Sequence, residues 1–159
     1  MNIREIQLKD NERMAEIVRE VIVEMGAPKV GTAYEDKALE NLYETYNKER
    51  ACYFVIEVEG KVVGGAGIAH LANEAETVCE LQKMYFLGST RGKGLGMKMM
   101  HTCLSKAQEF RYEQCYIETM PYMTDAQKLY KKAGFQYLEA PMGNTGHYSC
   151  PVWMLKKFI

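Results

Sequence analysis

The run Arg91-Gly92-Lys93-Gly94-Leu95-Gly96 is the stretch whose residue types and spacing point most directly to chemistry. It sits between a strand-like segment ending at Phe86 and a helix-like segment beginning at Leu95. A helix N-terminus offers N–H groups with no intrahelical acceptor and the positive end of the helix dipole. Glycines there remove the Cβ atoms that would hold a bulky anion away from the backbone. The implied chemistry is capture of a phosphate-bearing ligand by main-chain donors. Each charge-assisted hydrogen bond contributes about 1.5–3 kcal/mol, so three or four of them outweigh a dipole contribution of about 0.3–1 kcal/mol. Arg91 and Lys93 add screening charge. The spacing does not suit two common phosphate loops, because Gly92-Lys93 is followed by Gly94 rather than Ser or Thr, and the third glycine falls at Gly96 rather than at position 97. Taken alone, three clustered glycines also describe a tight turn.

Other reactive residues are less well arranged. Cys52, Cys79, Cys103, Cys115 and Cys150 are scattered, with no CxxC pair, and His70, His101 and His147 bracket none of them at zinc-site spacing. They read as reduced core thiols, and no metal is expected. His147 and Cys150 resemble a Cys/His nucleophilic pair in type, but a separation of three along a strand would turn them to opposite faces.

The elements that must position the glycine loop follow from periodicity. Residues 2 to 8 alternate as a strand, and Asp10 is placed to cap a helix carrying Met14, Ile17, Val18, Val21, Ile22 and Met25, which Gly26 and Pro28 stop. A second, shorter helix is suggested by Ala38, Leu39, Leu42, Tyr43 and Tyr46. Ala51–Glu59 and Lys61–Leu71 form a hairpin through Glu59-Gly60. A strand from about Thr77 to Phe86 leads through the glycine turn into a helix with Leu95, Met99, Met100, Cys103, Leu104 and Ala107 on one face. Gln114–Thr119 is a strand, and Thr124 with Gln127 forms a capping box for a helix ended by Gly134. Phe135–Leu138 and about His147–Lys156 are closing strands around the loop 139–146. The order β-α-α-β-β-β-α-β-α-β-β calls for a mixed sheet flanked by helices.

Two stretches carry a family resemblance. Arg91 to Gly96, as Arg-x-x-Gly-x-Gly behind the strand Glu80 to Phe86, resembles the central motif of the GNAT superfamily of acetyl-CoA-dependent N-acetyltransferases. Independently, TDAQKLYKKAGF at Thr124–Phe135 is similar to the family's late helix, matching at Ala126, Tyr130, Gly134 and Phe135. The resemblance spans nearly the whole chain. It implies an α/β (α+β) fold, one domain over residues 1–159, with a mixed, mostly antiparallel sheet of about seven strands and about four helices.

It further implies that amides from Gly92 through Lys93, Gly94 and Leu95 to Gly96, with Arg91, hold the diphosphate of acetyl-CoA. The main chain of Met84 and Phe86 would pair with the pantetheine arm as an added strand would. A bulge between Glu80 and Met84 would open a gap toward Gln114–Thr119 for the thioester. Many relatives carry Asn where this chain has Met123, which removes one expected side-chain contact.

An attacking amine must be neutral. For a lysine-like amine of pKa about 10.4 this costs about 4.6 kcal/mol at pH 7, so a base is expected. Glu80, eleven residues before Arg91, matches the place where some relatives carry a glutamate base, against the alternative of a strand carboxylate paired with Lys83. Glu118 is a second candidate. Tyr130 matches the family tyrosine that assists the leaving thiolate, against the alternative of core packing beside Ala126 and Leu129.

With 20 Lys+Arg and 21 Asp+Glu the net charge is -1, which argues against a nucleic-acid partner or an anionic membrane surface. The longest run free of strongly polar residues, Val62–Ala69, is interrupted by three glycines and falls short of the roughly 18 residues of a membrane span. The first ten residues do not read as a signal peptide, so a cytoplasmic location is expected. The partner is a primary amine on a small molecule or peptide, with a catalytically idle acyl-CoA sensor as the competing function. The acceptor itself is not encoded in any motif. Tyr34, Tyr43, Tyr46, Tyr122 and Trp153 could line an aromatic pocket or pack, and an exposed final strand would permit a homodimer.

Overall fold

The computed structural model describes residues 1–158. Seven strands form one sheet: β1 (Asn2–Glu5), β2 (Cys52–Val58), β3 (Lys61–His70), β4 (Val78–Phe86), β5 (Gln114–Thr119), β6 (Gln136–Tyr137) and β7 (Val152–Lys157). Their spatial order is β1-β2-β3-β4-β5-β7-β6. Every neighbouring pair is antiparallel except β4 and β5. The four α-helices are α1 (Asn11–Glu24), α2 (Leu42–Tyr46), α3 (Leu95–Glu109) and α4 (Thr124–Lys132). The mixed, mostly antiparallel α+β layer read from the sequence is therefore the one observed. No helix of the described residues is long and apolar enough to cross a membrane.

Side-chain alternation divides the core between the two faces of the sheet. Cys52, Phe54 and Ile56 of β2 point to the face covered by α3, where Met99, Met100, Cys103 and Ala107 are fully buried, and by Tyr130 and Phe135 at α4. Tyr53 and Val55 point to the other face, against Met14, Ile17, Val18 and Ile22 of α1. The β2–β3 hairpin turns through Glu59 (φ 52°) and Gly60 (φ 77°), two consecutive left-handed residues that match the strand twist.

Several local expectations are corrected. Asp10 occupies the N-cap position of α1 as expected, but its carboxylate makes no cap bond to the helix; it accepts the Gln7 N–H at 2.8 Å and the Arg4 guanidinium at 2.7 and 3.0 Å, fixing the turn before the helix. The helix expected from Ala38 is a 3-10 turn, Lys37–Asn41, followed by the single turn of α2. Thr124 opens α4 as its first residue rather than as its cap. Gln127 donates instead to the carbonyls of Met120 (2.8 Å) and Pro121 (3.2 Å) in the preceding turn. The final strand starts at Val152, because 147–150 form a tight turn closed by the Cys150 N–H on the His147 carbonyl at 3.1 Å.

Candidate active site

The glycine loop lies where β4 leads into α3. Gly92 (φ 77°) and Gly94 (φ 76°) both take left-handed backbone conformations, and Gly94 is the residue capping α3. A Cβ built on either would meet nothing within 4 Å, so the space in front of the loop is open. The first intrahelical bond runs from the Lys98 N–H to the Gly94 carbonyl at 3.3 Å. The amides of Leu95, Gly96 and Met97 are thus left without helical acceptors. Gly96 serves a different purpose: its Cβ would stand 3.1 Å from Leu129 Cδ2, so the glycine lets α4 approach α3. Arg91, expected beside the diphosphate, has protein partners here. Its guanidinium is engaged by Glu24 at 2.6 Å and by the Phe86 carbonyl at 2.9 Å, so it braces the loop from behind.

β4 carries a bulge inside the expected interval. Gly65 is opposite Tyr85 and Gly67 is opposite Gln82, which leaves both Lys83 and Met84 facing Ala66. Lys83 takes φ 48°, the conformation a glycine commonly supplies at such a bulge. The Tyr53 hydroxyl donates to the Lys83 carbonyl at 2.8 Å. The Tyr53 ring lies against β3, where a Cβ on Gly65 or Gly67 would come within 2.6 Å of it. The glycines of β3 thus make room for the ring that pins the bulge. Leu87 donates its N–H to Val63 at 2.9 Å, so by ladder alternation Phe86 and Met84 turn their main-chain groups to the opposite edge. β4 pairs with β5 only from Val78–Gln114 to Glu80–Tyr116. Beyond that pair the two parallel strands separate.

The separation holds a cavity of about 120 Å³, lined among others by Glu80, Gln82, Lys83, Met84, Glu118 and Tyr130. Glu80 is 7% exposed. Burial, with help from the Glu118 charge and against the Gln82 hydrogen bond, pushes its pKa up to about 7. Gln82 Nε2 donates to Glu80 Oε1 at 2.6 Å, and the Tyr46 hydroxyl donates to Gln82 Oε1 at 2.5 Å. Glu118 receives the hydroxyls of Tyr116 (2.6 Å) and Thr145. Tyr130 is buried beside Phe135, with ring centroids 6.1 Å apart, and burial raises its pKa. Its hydroxyl makes no side-chain hydrogen bond among the described residues.

The cluster around Asp36 was not foreseen. Asp36 receives His147 Nε2 at 2.9 Å on both oxygens and Lys83 Nζ at 3.0 Å. Burial opposes ionisation of Asp36, but the His147 hydrogen bond and the Lys83 charge outweigh it and hold the carboxyl below its usual range. Burial likewise opposes charging of His147, and the Asp36 hydrogen bond reverses this, raising its pKa. His147 and Cys150 line the same cavity rather than opposite faces, because their segment is a turn. They still make no nucleophilic pair: the ring is held by Asp36, and burial pushes the Cys150 thiol up to about 12.

None of Tyr34, Tyr43, Tyr46, Tyr122 and Trp153 lines this cavity, but Tyr43 and Tyr46 line a separate one of about 280 Å³ together with Tyr53 and Phe110. Only Tyr46 reaches the network, through Gln82. Asp36, Gln82 and Thr145 carry no local signal in the sequence. Lys83 could have been found from the bulge, as the side chain at its left-handed position.

A family model described as the acetyltransferase (GNAT) family matches residues 15–135. The uncharacterized N-acetyltransferase YjgM of Escherichia coli (strain K12) is 40% identical over 156 residues, covering 98% of this chain and 93% of YjgM. Among solved structures, a GNAT-family acetyltransferase from Staphylococcus aureus Mu50 superposes with a TM-score of 0.85 at 19% identity, covering 99% of both chains. The acetyltransferase yncA from Salmonella typhimurium, solved with acetyl-CoA, superposes with a TM-score of 0.81 at 19% identity, covering 100% of this chain and 94% of yncA. These two likenesses carry the fold, while the family match and the YjgM identity carry descent: the chain belongs to the acetyltransferase (GNAT) family.

Proposed function

We propose that the protein transfers the acetyl group of acetyl-CoA directly to a primary amine on a small acceptor, with both substrates bound at once. The observation that carries this reading is the succession of three features along β4 and into α3: a cavity at Glu80 and Tyr130, an edge of β4 left without a β5 partner at Met84 and Phe86, and open space at the backbone of Gly92 and Gly94. The residues fit the coenzyme, because the loop is a cradle that a Cβ on either glycine would fill. Amides from Gly92 to Gly96 would hold its diphosphate, and Met84 and Phe86 its pantetheine arm. Bound there, acetyl-CoA supplies an acetyl group activated as a thioester.

The chain's own groups do the rest. Glu80 accepts the proton that the acceptor ammonium must lose, directly or through a water. A carboxylate with a pKa near 7 is poised between its two forms at working pH. Gln82, oriented by Tyr46, occupies Oε1 and leaves Oε2 for the acceptor. Tyr130 keeps its proton throughout the physiological range, because burial raises it further above a thiol that titrates near 8.5. It therefore donates a hydrogen bond to the departing sulfur rather than surrendering the proton. The five cysteines, all free and buried, support a reducing, cytoplasmic setting.

The test is calorimetry with acetyl-CoA, joined to a thiol-release screen over polyamines, amino acids, aminoglycosides and lysine peptides. Binding with turnover, and intersecting double-reciprocal lines, are expected. Binding with no turnover in any class would instead favour an acyl-CoA sensor, and parallel lines would indicate a covalent acetyl-enzyme.

A further inference from the structure

The acceptor end of the cavity has a charge pattern more specific than an amine alone requires. On the side of β4 and β5 stand Glu80 and Glu118, and neither forms an ion pair among the described residues. Glu80 receives the Gln82 amide, and Glu118 receives the hydroxyls of Tyr116 and Thr145. Near them stand Lys83, also of β4, and His147, two cations that share the single carboxylate of Asp36 at 3.0 and 2.9 Å. With His147 charged, as its Asp36 contact favours over burial, this group carries one positive charge in excess. The cavity therefore holds two carboxylates without an ion-pair partner among the described residues and a cation pair that a single carboxylate does not neutralise. Resting on the acetyltransferase reading above, we propose that the acceptor is a small zwitterion bearing a primary amine and a carboxylate, its amine directed at Glu80 and its carboxylate at Lys83 and His147.

The details of each residue agree. The Lys83 side chain is 9% exposed, and only one of its three N–H donors is needed by Asp36, which leaves donors for a second carboxylate. Its backbone sits at φ 48°, where glycine would form the same bulge more easily, so what lysine adds to the position is an ammonium inside the cavity. The two loops that bring Asp36 and His147 to the cavity are tied together: Ser149 donates its N–H to the Gly31 carbonyl at 3.1 Å and its hydroxyl to the Val30 carbonyl at 2.8 Å. A cavity of about 120 Å³ suits a small molecule. A diamine would bring its second ammonium to a group that already has excess positive charge, and a carboxamide would leave that charge unmatched.

The experiment compares thiol release from a panel of amino acids with release from their matched carboxamides and from short diamines. Amino acids are expected to exceed their carboxamides by about 10- to 100-fold in kcat/KM, the worth of one charge-assisted contact. Lys83→Gly, which suits the backbone conformation, should raise KM for amino acids, leave kcat within a few-fold, and bring the amino acid to carboxamide ratio close to one. Lys83→Met should do the same if its melting temperature and acetyl-CoA affinity match the parent. Carboxamides or diamines turning over as well as amino acids would overturn the inference and leave the transferase standing, as would a ratio unmoved by Lys83→Gly. No release from any acceptor, with acetyl-CoA still bound, would overturn both.

Discussion

At the coenzyme end of the candidate site the working groups are main-chain amides in one contiguous loop, exposed because Gly92 and Gly94 have no side chains. At the acceptor end they are the side chains of Asp36, Glu80, Lys83, Glu118, Thr145 and His147, drawn from four separate stretches of the chain. On the proposed reading, the first end would recognise a group that any acyl-CoA carries, and the second would choose the partner. A backbone site tolerates change in most side chains but no added Cβ over the loop. A side-chain site can be retuned one residue at a time while the loop stays intact.

The largest expected effect breaks the coenzyme end alone. In Gly94→Ala the added methyl meets no protein atom, so folding pays only the left-handed backbone penalty of about 1–2 kcal/mol. Displacing the diphosphate from two charge-assisted bonds costs about 3–6 kcal/mol, so calorimetry should show acetyl-CoA affinity lower by about 10²- to 10⁴-fold.

Glu80→Gln attacks the other end. Coenzyme affinity should be unchanged, while kcat/KM for the acceptor falls by about 10²- to 10⁴-fold. In the parent enzyme Glu80 must be ionised to take a proton, so kcat/KM should fall as pH drops through about 7, and that limb should vanish in the variant. A limb that survives would move the base elsewhere.

Tyr130→Phe tests the junction between the two ends. Loss of one donor to the leaving sulfur should lower kcat by about 10- to 100-fold, with coenzyme affinity nearly intact; unchanged turnover would return Tyr130 to a packing role.

The smallest effect belongs to Arg91→Met. Because its guanidinium is turned to Glu24 and the Phe86 carbonyl, acetyl-CoA affinity should fall only a few-fold, in line with a part-exposed ion pair worth about 0–1 kcal/mol. A hundredfold loss would mean the guanidinium swings onto the diphosphate.

The glycine loop, the late helix through Tyr130 and the succession of elements along the chain were legible because each rests on short-range sequence: alternation, helical spacing and glycines at a strand-to-helix joint. The bulge was legible as an interval, and the structure resolves it to Lys83 and Met84 opposite Ala66. Asp10 was placed correctly at the start of α1 though its carboxylate turns back to Gln7 and Arg4, whereas Thr124 misled, since a residue suited to capping can equally begin the helix itself. The segment 147–150 misled because aromatic and β-branched neighbours resemble a strand until the chain is seen to turn back at Cys150.

By itself, then, the sequence determined where a glycine loop opens a helix after a strand, a matter of local backbone geometry, and the family resemblance pointed from there to Glu80 and Tyr130 as candidates. Only the tertiary structure decided that Asp36 and His147, 111 positions apart, would meet. Nor could anything short of the folded chain show that Lys83 would join them or that Glu80 would be dry enough to titrate near 7. Ion pairs and desolvation depend on distance through space, and distance through space is fixed by packing the two faces of the sheet.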